Sequence, residues 1–434
     1  MFNKSLFFQK SEHNVRRFNS TLRWLLVSVL IGIVVGLISG SFGYLLQAVT
    51  AFRLSHAYLL FGLPFGAMAI VAMYHLILHE KDPGTNLVIS AIHSDDRIPL
   101  RMAPLIYIST ILTHLVGGSA GREGAALQLG GSIGNAFGEY LGFREKEDRN
   151  IMIMCGMSAA FSALFGTPIA AAVFSMEVVS VGIMHYAALL PCAISSLIAR
   201  AIALYVFGIA SPSYEILELP AFDLKTGLII SGFSILCGLL SIFFCVSLHK
   251  TSALYQKLFA NPYLRAFVGG CAVLALSFAV GGIDNQTYNG TGTSMITFCM
   301  AGDISAAIAG QAVPYAFLLK MLFTSITLGA GFKGGEIVPT FFIGASFGSM
   351  FGNLIGFSPS LCAAVGMGAL FCGVTNSPIT SLLICFELFG FEGTPFFLLA
   401  IGFSYTVSGY YSLYSSQKIV YSKYKSNFID KSAK

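Results

Sequence analysis

Two glutamates stand where an acid is expensive to keep. Glu123 lies in Gly121-Arg122-Glu123-Gly124, just ahead of glycines spaced four apart at Gly130, Gly134 and Gly138. Glu336 lies in Gly334-Gly335-Glu336-Ile337-Val338-Pro339, just ahead of a matching series at Gly344, Gly348 and Gly352. Both stretches are apolar, and an acid at membrane depth marks a functional site by default. The free N–H groups and positive dipole end of a helix start attract anions, and a carboxylate is itself an anion able to sit there. Glu123 can therefore compete with a transported anion, and protonation would release it, which is enough to exchange protons for anions. The alternative is a capping glutamate satisfied by the same N–H groups; the flanking glycines and an internal repeat favour function. Arg122 reads as structural, pairing with carbonyls or an acid. For Glu336, proton relay and an ion pair with Lys333 both stay open. Pro339 suits the first helical turn, where its missing N–H costs nothing.

The scaffold that must hold these acids is a membrane protein. Of 434 residues, 55% are hydrophobic and only 10% charged, against roughly a quarter charged in soluble domains. A water-soluble globule is excluded. The net charge of +5 comes from basic residues at the chain ends and between apolar runs, with no stripe that would bind nucleic acid. The cysteines Cys155, Cys237, Cys245, Cys372 and Cys385 stand singly in apolar segments and read as small packing residues. His75, His114 and His185 are likewise isolated, so no metal and no cofactor is expected. An intramembrane enzyme lacks support, because neither a nucleophile and base pair nor an HExxH accompanies Glu123 or Glu336.

Apolar segments are expected at about 24–49, 57–78, 103–116, 151–174, 186–206, 228–248, 266–280, 312–328, 341–356 and 396–411. Several are shorter than the ~20 residues a full crossing needs. Such pieces persist at membrane depth only where buried in protein or lining an aqueous cavity, which favours a transporter or channel core. The stretch from Gly156 (GMSAAFSALFGTPIAAAVFSMEVV) resembles that from Gly366 (GMGALFCGVTNSPITSLLICFELF), placing Pro168 and Pro378 210 residues apart and Glu177 and Glu387 likewise. The segments from Gly121 and Gly335 match at an offset of 214. Glycines four apart share a helical face and permit close helix contact. The repeat divides the membrane domain, 23–414, into halves of about 23–206 and 224–414, and two such halves bring short helices to a common centre with the substrate between broken-helix ends.

Lys4, Lys10, Arg16, Arg17 and Arg23 lead the first apolar run, which lacks a signal cleavage site, and Lys418, Lys423, Lys425, Lys431 and Lys434 follow the last. The positive-inside rule puts both the N-terminal segment, 1–22, and the tail, 415–434, in the cytoplasm. That tail is too short for a folded regulatory domain. FREKEDRN, 143–150, reads as a solvated loop; Lys320 and Arg200 read as snorkelling or acid-paired; Glu177 and Glu387 read as structural caps.

At these residues the sequence resembles the CLC family of chloride channels and anion/proton antiporters, whose short-helix starts carry GSGIP, GREGP and GxFxP. Here they read GTNLV (84–88), GREGA (121–125) and GEIVP (335–339), and the likeness runs through TPIAAAVFSMEV and SPITSLLICFEL to LYS at 413–415. The resemblance implies an all-α polytopic fold of two inverted repeats of short tilted helices, with helix N-termini meeting at a central anion site. It implies a homodimer in the cell (plasma or inner) membrane, with Glu123 as gating glutamate and Tyr414 as the pore tyrosine.

The departures are informative. Thr85, Val88, Ala125 and Ile337 replace family residues, and Val178 stands where chloride-type antiporters carry the internal proton glutamate. With HLVGGSAGREG and LGAGFKGGE, these changes look like the fluoride/proton antiporter branch. Fluoride is small and tightly hydrated, so its site needs strong donors at close range. Thr85, Asn86, Tyr414 and the helix-start N–H groups of Gly121, Arg122, Gly124, Ile337 and Val338 are the candidates, with Glu336 as a possible second acid. The expected partners are fluoride, protons and the lipid bilayer; a chloride/proton antiporter or passive anion channel of the same fold is the alternative.

Overall fold

The computed structural model of the protein describes residues 4–78, 84–94, 98–143, 145–302 and 314–434, with side chains from Ser20 onward. Among these, the first half contains α1 (Lys4–Ser55), α2 (Leu63–Leu78), α3 (Thr85–His93), α4 (Met102–Val116), α5 (Glu123–Tyr140), α6 (Lys146–Phe165), α7 (Pro168–Glu177) and α8 (Leu189–Tyr205). The second contains α9 (Leu224–Leu258), α10 (Pro262–Ala279), α11 (Thr293–Met300), α12 (Ala316–Ala330), α13 (Ile337–Ile355), α14 (Pro359–Thr375), α15 (Pro378–Phe389) and α16 (Thr394–Val407). Six helical stretches, including Ser20–Ser55 and Leu224–Leu258, are long and apolar enough to cross a membrane. At 10 and 12 residues, α7 and α15 are not. The chain is a multi-pass membrane protein.

The repeat is legible helix by helix. α4 ends at Gly117 with φ 89°, and α12 ends at Gly331 with φ 111°, a left-handed stop that glycine adopts without strain. Each stop turns the chain into the loop that starts the next helix, α5 or α13. α6 and α14 then end at Gly166 and Asn376, both with positive φ, and Pro168 and Pro378 open α7 and α15. The apolar run 151–174 is therefore two helices, because the Gly166 stop and the Pro168 ring interrupt it.

The glycine series set how closely these helices pack. A Cβ at Gly130 would lie 2.1 Å from the Gly156 carbonyl oxygen, and one at Gly156 would lie 2.0 Å from that of Gly130. Gly344 and Gly366 repeat this reciprocal contact at 2.5 and 2.3 Å in the second half. Backbone thus lies on backbone where α5 crosses α6 and where α13 crosses α14. From Ile151 to Phe165 every residue of α6 is buried, as is every residue of α14 from Ser360 to Thr375. Helices apolar all round belong in the middle of the molecule. α7 packs on α15 as well, each carrying a glutamate near its end that reaches the other's start.

Several expectations change. Of FREKEDRN, Arg144 lies outside the described residues, but Lys146–Asn150 form the first turn of α6, where Glu147 and Asp148 suit the positive dipole end. Lys320 does not snorkel, and meets no acid among the described residues: it is fully buried and donates to the carbonyls of Tyr288 (3.1 Å) and Gly290 (2.7 Å). Arg200 donates to the Ile209 carbonyl at 2.8 Å. To the helices is added a small sheet in which β1 (Ser180–Val181) pairs parallel with β2 (Lys418–Tyr421), and β2 antiparallel with β3 (Phe428–Ser432). The segment after Tyr414 is thereby stitched to the end of α7.

Candidate functional site

The loops that start α5 and α13 pair with each other. Gly121 N–H donates to the Gly335 carbonyl at 2.6 Å and Gly335 N–H to the Gly121 carbonyl at 2.8 Å, an isolated antiparallel bridge. Only residues without side chains fit there: a Cβ on Gly335 would meet Gly124 N at 2.5 Å, and one on Gly121 would meet Glu123 Oε2 at 2.6 Å. This bridge fixes two helix starts side by side and brings Glu123 and Glu336 to one place.

Glu123 is the first residue of α5 and is fully buried. Its Oε2 accepts the Arg122 N–H at 3.0 Å, and the Val338 N–H of the other repeat faces the same carboxylate. Its Oε1 has no hydrogen-bond partner; Arg122 Nε stands 3.7 Å away. The Arg122 guanidinium is itself held by the Leu164 carbonyl at 2.9 Å, as a structural arginine would be. A carboxylate therefore already occupies the pocket that two helix starts offer to an anion.

Glu336 immediately precedes α13, makes no side-chain cap to it, and points to the other side of the bridge, toward Gly124, where a Cβ would come within 3.3 Å of Glu336 Oε2 and 3.1 Å of Thr85 Oγ1. Thr85, the first residue of α3, donates to the Gly124 carbonyl at 3.3 Å. Gln128 Nε2 donates to Thr85 Oγ1 at 3.2 Å and to the Gly124 carbonyl at 3.4 Å. Asn86 lies beside them and accepts the Ser416 N–H at 3.0 Å. Tyr414 is buried with its hydroxyl unpartnered.

Two cavities approach this centre. The larger, about 480 Å³, is lined by Glu123, Arg122, Val338 and His114, and the smaller, about 230 Å³, by Thr85, Asn86, Gln128, Glu336 and Tyr414. They share no lining residue, so the glycine bridge and the Glu123 carboxylate form the partition. Glu123 Oε1, Glu336 Oε2, Gln128 Oε1 and the Tyr414 hydroxyl are buried with no hydrogen-bond partner. Such orphans call for a guest: the two carboxyl oxygens can receive a proton, the Tyr414 hydroxyl can donate to an anion, and the Gln128 amide oxygen can accept from a donor.

Of the residues singled out in the sequence, Glu123, Arg122 and Val338 gather at one cavity, and Thr85, Asn86, Glu336 and Tyr414 at the other; Gly121 and Gly124 form the backbone between them. Ile337 contributes only its place in the helix start, its side chain being fully buried outside both linings. Lys333 stands over the Tyr74 ring at 4.3 Å and lines the smaller cavity. Gln128 and His249 were missed. The one signal for Gln128 was an amide four residues beyond Gly124, on the same helical face. His114, which reaches the Gly121 carbonyl at 3.4 Å, lines the larger cavity.

This architecture is that of an anion transporter built from two related halves. The chain belongs to the CLC family: the family model described as voltage gated chloride channel matches residues 65–409. A chloride/fluoride channel protein of Pseudomonas syringae pv. tomato (strain ATCC BAA-871 / DC3000) is 34% identical over 406 residues, covering 93% of this chain and 88% of that one. The crystal structure of a CLC-type fluoride/proton antiporter superimposes with a TM-score of 0.84 at 32% identity, covering 92% of this chain and 98% of the other. A slow cyanobacterial Cl⁻/H⁺ antiporter shares the fold, with a TM-score of 0.72 at 19% identity over 89% of this chain and 94% of its own.

Proposed function

We propose that the protein is a secondary active transporter of the cell membrane that exports fluoride in exchange for protons, as a homodimer with both termini in the cytoplasm. The observation that carries this reading is Glu123: a buried carboxylate with one orphan oxygen, set in the partition between two cavities. When ionised it fills the N–H cradle and excludes the anion. When protonated it leaves, and an anion takes its place.

The anion enters from the smaller cavity, where the Tyr414 hydroxyl, Thr85, Asn86 and the helix-start N–H groups replace its water. Glu336 shares that cavity and is the acid that loads protons from the cytoplasmic side. Val178 supports this route, because it is fully buried and its carbonyl is bound by Gln417 Nε2 at 2.8 Å, leaving nothing titratable at that position. Fluoride is favoured over chloride by the likeness to the fluoride/proton antiporter structure along 92% of the chain. Fluoride is also the conjugate base of a weak acid that a cell can trap, so proton-linked export suits it.

The test is purified protein in liposomes. Fluoride efflux should drive proton uptake, and Glu123→Gln should abolish the proton movement. Equal transport of chloride, or fluoride flux with no proton movement, overturns the proposal.

A further inference from the structure

The partition between the cavities uses acids; the wall of the larger cavity hides bases. Arg53, in the last turn of α1, is 2% exposed, and its Nε and Nη1 have no hydrogen-bond partner. No carboxylate pairs with it among the described residues. Arginine stays charged in proteins, and a buried unpaired charge is among the most expensive things a fold can hold. Two glycines make room for it: a Cβ on Gly117 would lie 3.3 Å from Arg53 Nη1, and one on Gly290 would lie 3.1 Å from Nη2. Lys320, fully buried, approaches the same loop from behind and donates to the Gly290 carbonyl.

Local dipoles ease this cost without cancelling the charge. The carbonyl end of α1 favours a cation, and the two loop carbonyls take up Lys320. Neither supplies a counter-ion. Thr50 and Leu54, which flank Arg53 on α1, line the larger cavity, as do Thr291 and His114. His114 lies within electrostatic reach of Arg53, Arg122 and Lys320, and contacts Gly121 of the bridge. In a low-dielectric wall such charges act over the full width of a cavity.

We propose that Arg53, backed by Lys320, is the positioning charge of an anion subsite in the larger cavity, where a small halide rests beside His114 and Thr291 on the far side of Glu123. The field of Arg53 receives the anion that passes Glu123 on export and, in flux from the larger-cavity side, delivers it to the N–H cradle. This inference rests on the transport function proposed above.

The experiment uses the full-length protein in oriented liposomes of phosphatidylcholine. Initial fluoride flux is measured against fluoride concentration on the larger-cavity side, at two ionic strengths set with gluconate. Arg53→Met should raise the apparent KM on that side by at least about threefold with little change in maximal rate, and should flatten the dependence on ionic strength. Arg53→Lys should restore both. A folded Arg53→Met protein with unchanged KM and salt dependence overturns the inference, as does a raised KM that Lys does not rescue. If Arg53→Met does not yield folded protein, Thr293→Glu decides. Thr293 is exposed on the cavity lining, and a negative charge there should raise KM in the same way; an unchanged KM refutes the idea. Wild-type protein that moves no fluoride defeats the proposed function itself, whereas normal wild-type flux with indifferent variants defeats only this inference.

Discussion

Glu177 and Glu387 cap each other's helices. Glu177, at the end of α7, accepts the Ile379 and Thr380 N–H groups at 3.0 and 2.8 Å and the Thr380 hydroxyl at 2.6 Å. Glu387, near the end of α15, accepts the Ile169 and Ala170 N–H groups at 3.0 and 2.8 Å. Proline opens both helices, so the first free N–H groups are those that the glutamates take. The crossed caps lock the two halves together end to end.

These caps should matter for stability and spare the coupling. Glu177→Ala leaves buried donors unpaired and should cost about 2–3 kcal/mol, and the more exposed Glu387→Ala about 1 kcal/mol. Thermal unfolding in detergent, followed by circular dichroism, measures both. Equal losses, or a proton-to-anion ratio altered in the surviving protein, would contradict the assignment.

Gly124→Ala should stop transport in a folded protein. The added methyl would meet the Gly335 Cα at 3.0 Å, Thr85 Oγ1 at 3.1 Å and Glu336 Oε2 at 3.3 Å. All three belong to the centre between the cavities, so a shift of a few tenths of an ångström falls on the anion path. Flux should drop at least about tenfold, the scale on which misplacement of reacting groups is felt.

Tyr414→Phe separates function from stability. The hydroxyl has no partner, so its removal relieves a buried polar atom and should leave the melting temperature unchanged or raised. Fluoride flux should nevertheless fall about tenfold, the loss of one hydrogen bond to a charged guest. A large fall in melting temperature would show that the hydroxyl holds the fold instead.

Gly130→Ala and Gly344→Ala should each destabilise by about 1–3 kcal/mol or prevent folding, since a methyl group must enter where backbone touches backbone. Gly232→Ala and Gly402→Ala, in α9 and α16, meet nothing within 4 Å and serve as controls. Side-by-side thermal scans of the four variants test the contrast.

Lys423 ties the terminal sheet to the membrane domain, donating to Asn376 Oδ1, the Tyr405 carbonyl at 2.9 Å and Ser408 Oγ at 3.1 Å. Burial lowers its pKa from 10.5 to about 8. The folded state therefore binds this proton less readily than the unfolded state, and the resulting penalty is full below pH 8. It fades as pH rises from 8 to 10.5 and is gone above. Wild-type stability measured relative to Lys423→Met should accordingly rise across that window; a flat difference would rule the coupling out.

Hydropathy, spacing and residue type were enough to read the membrane setting, the repeat, the glycine-striped helices and the two acids, because each is a local pattern. The sequence also marked Glu177 and Glu387 as structural caps, since inverted halves set these equivalent acids near opposite surfaces. The folded chain was needed to see that Gly121 and Gly335 pair, which turns two separate helix starts into one partition with Glu123 on one side and Glu336 on the other. It alone drew Gln128 into the site and left Arg53 and Lys320 buried with no acid beside them among the described residues. Such contacts join residues as far apart in the chain as Gly121 and Gly335, 214 positions, and one-dimensional spacing carries no record of which distant backbone a glycine will let approach.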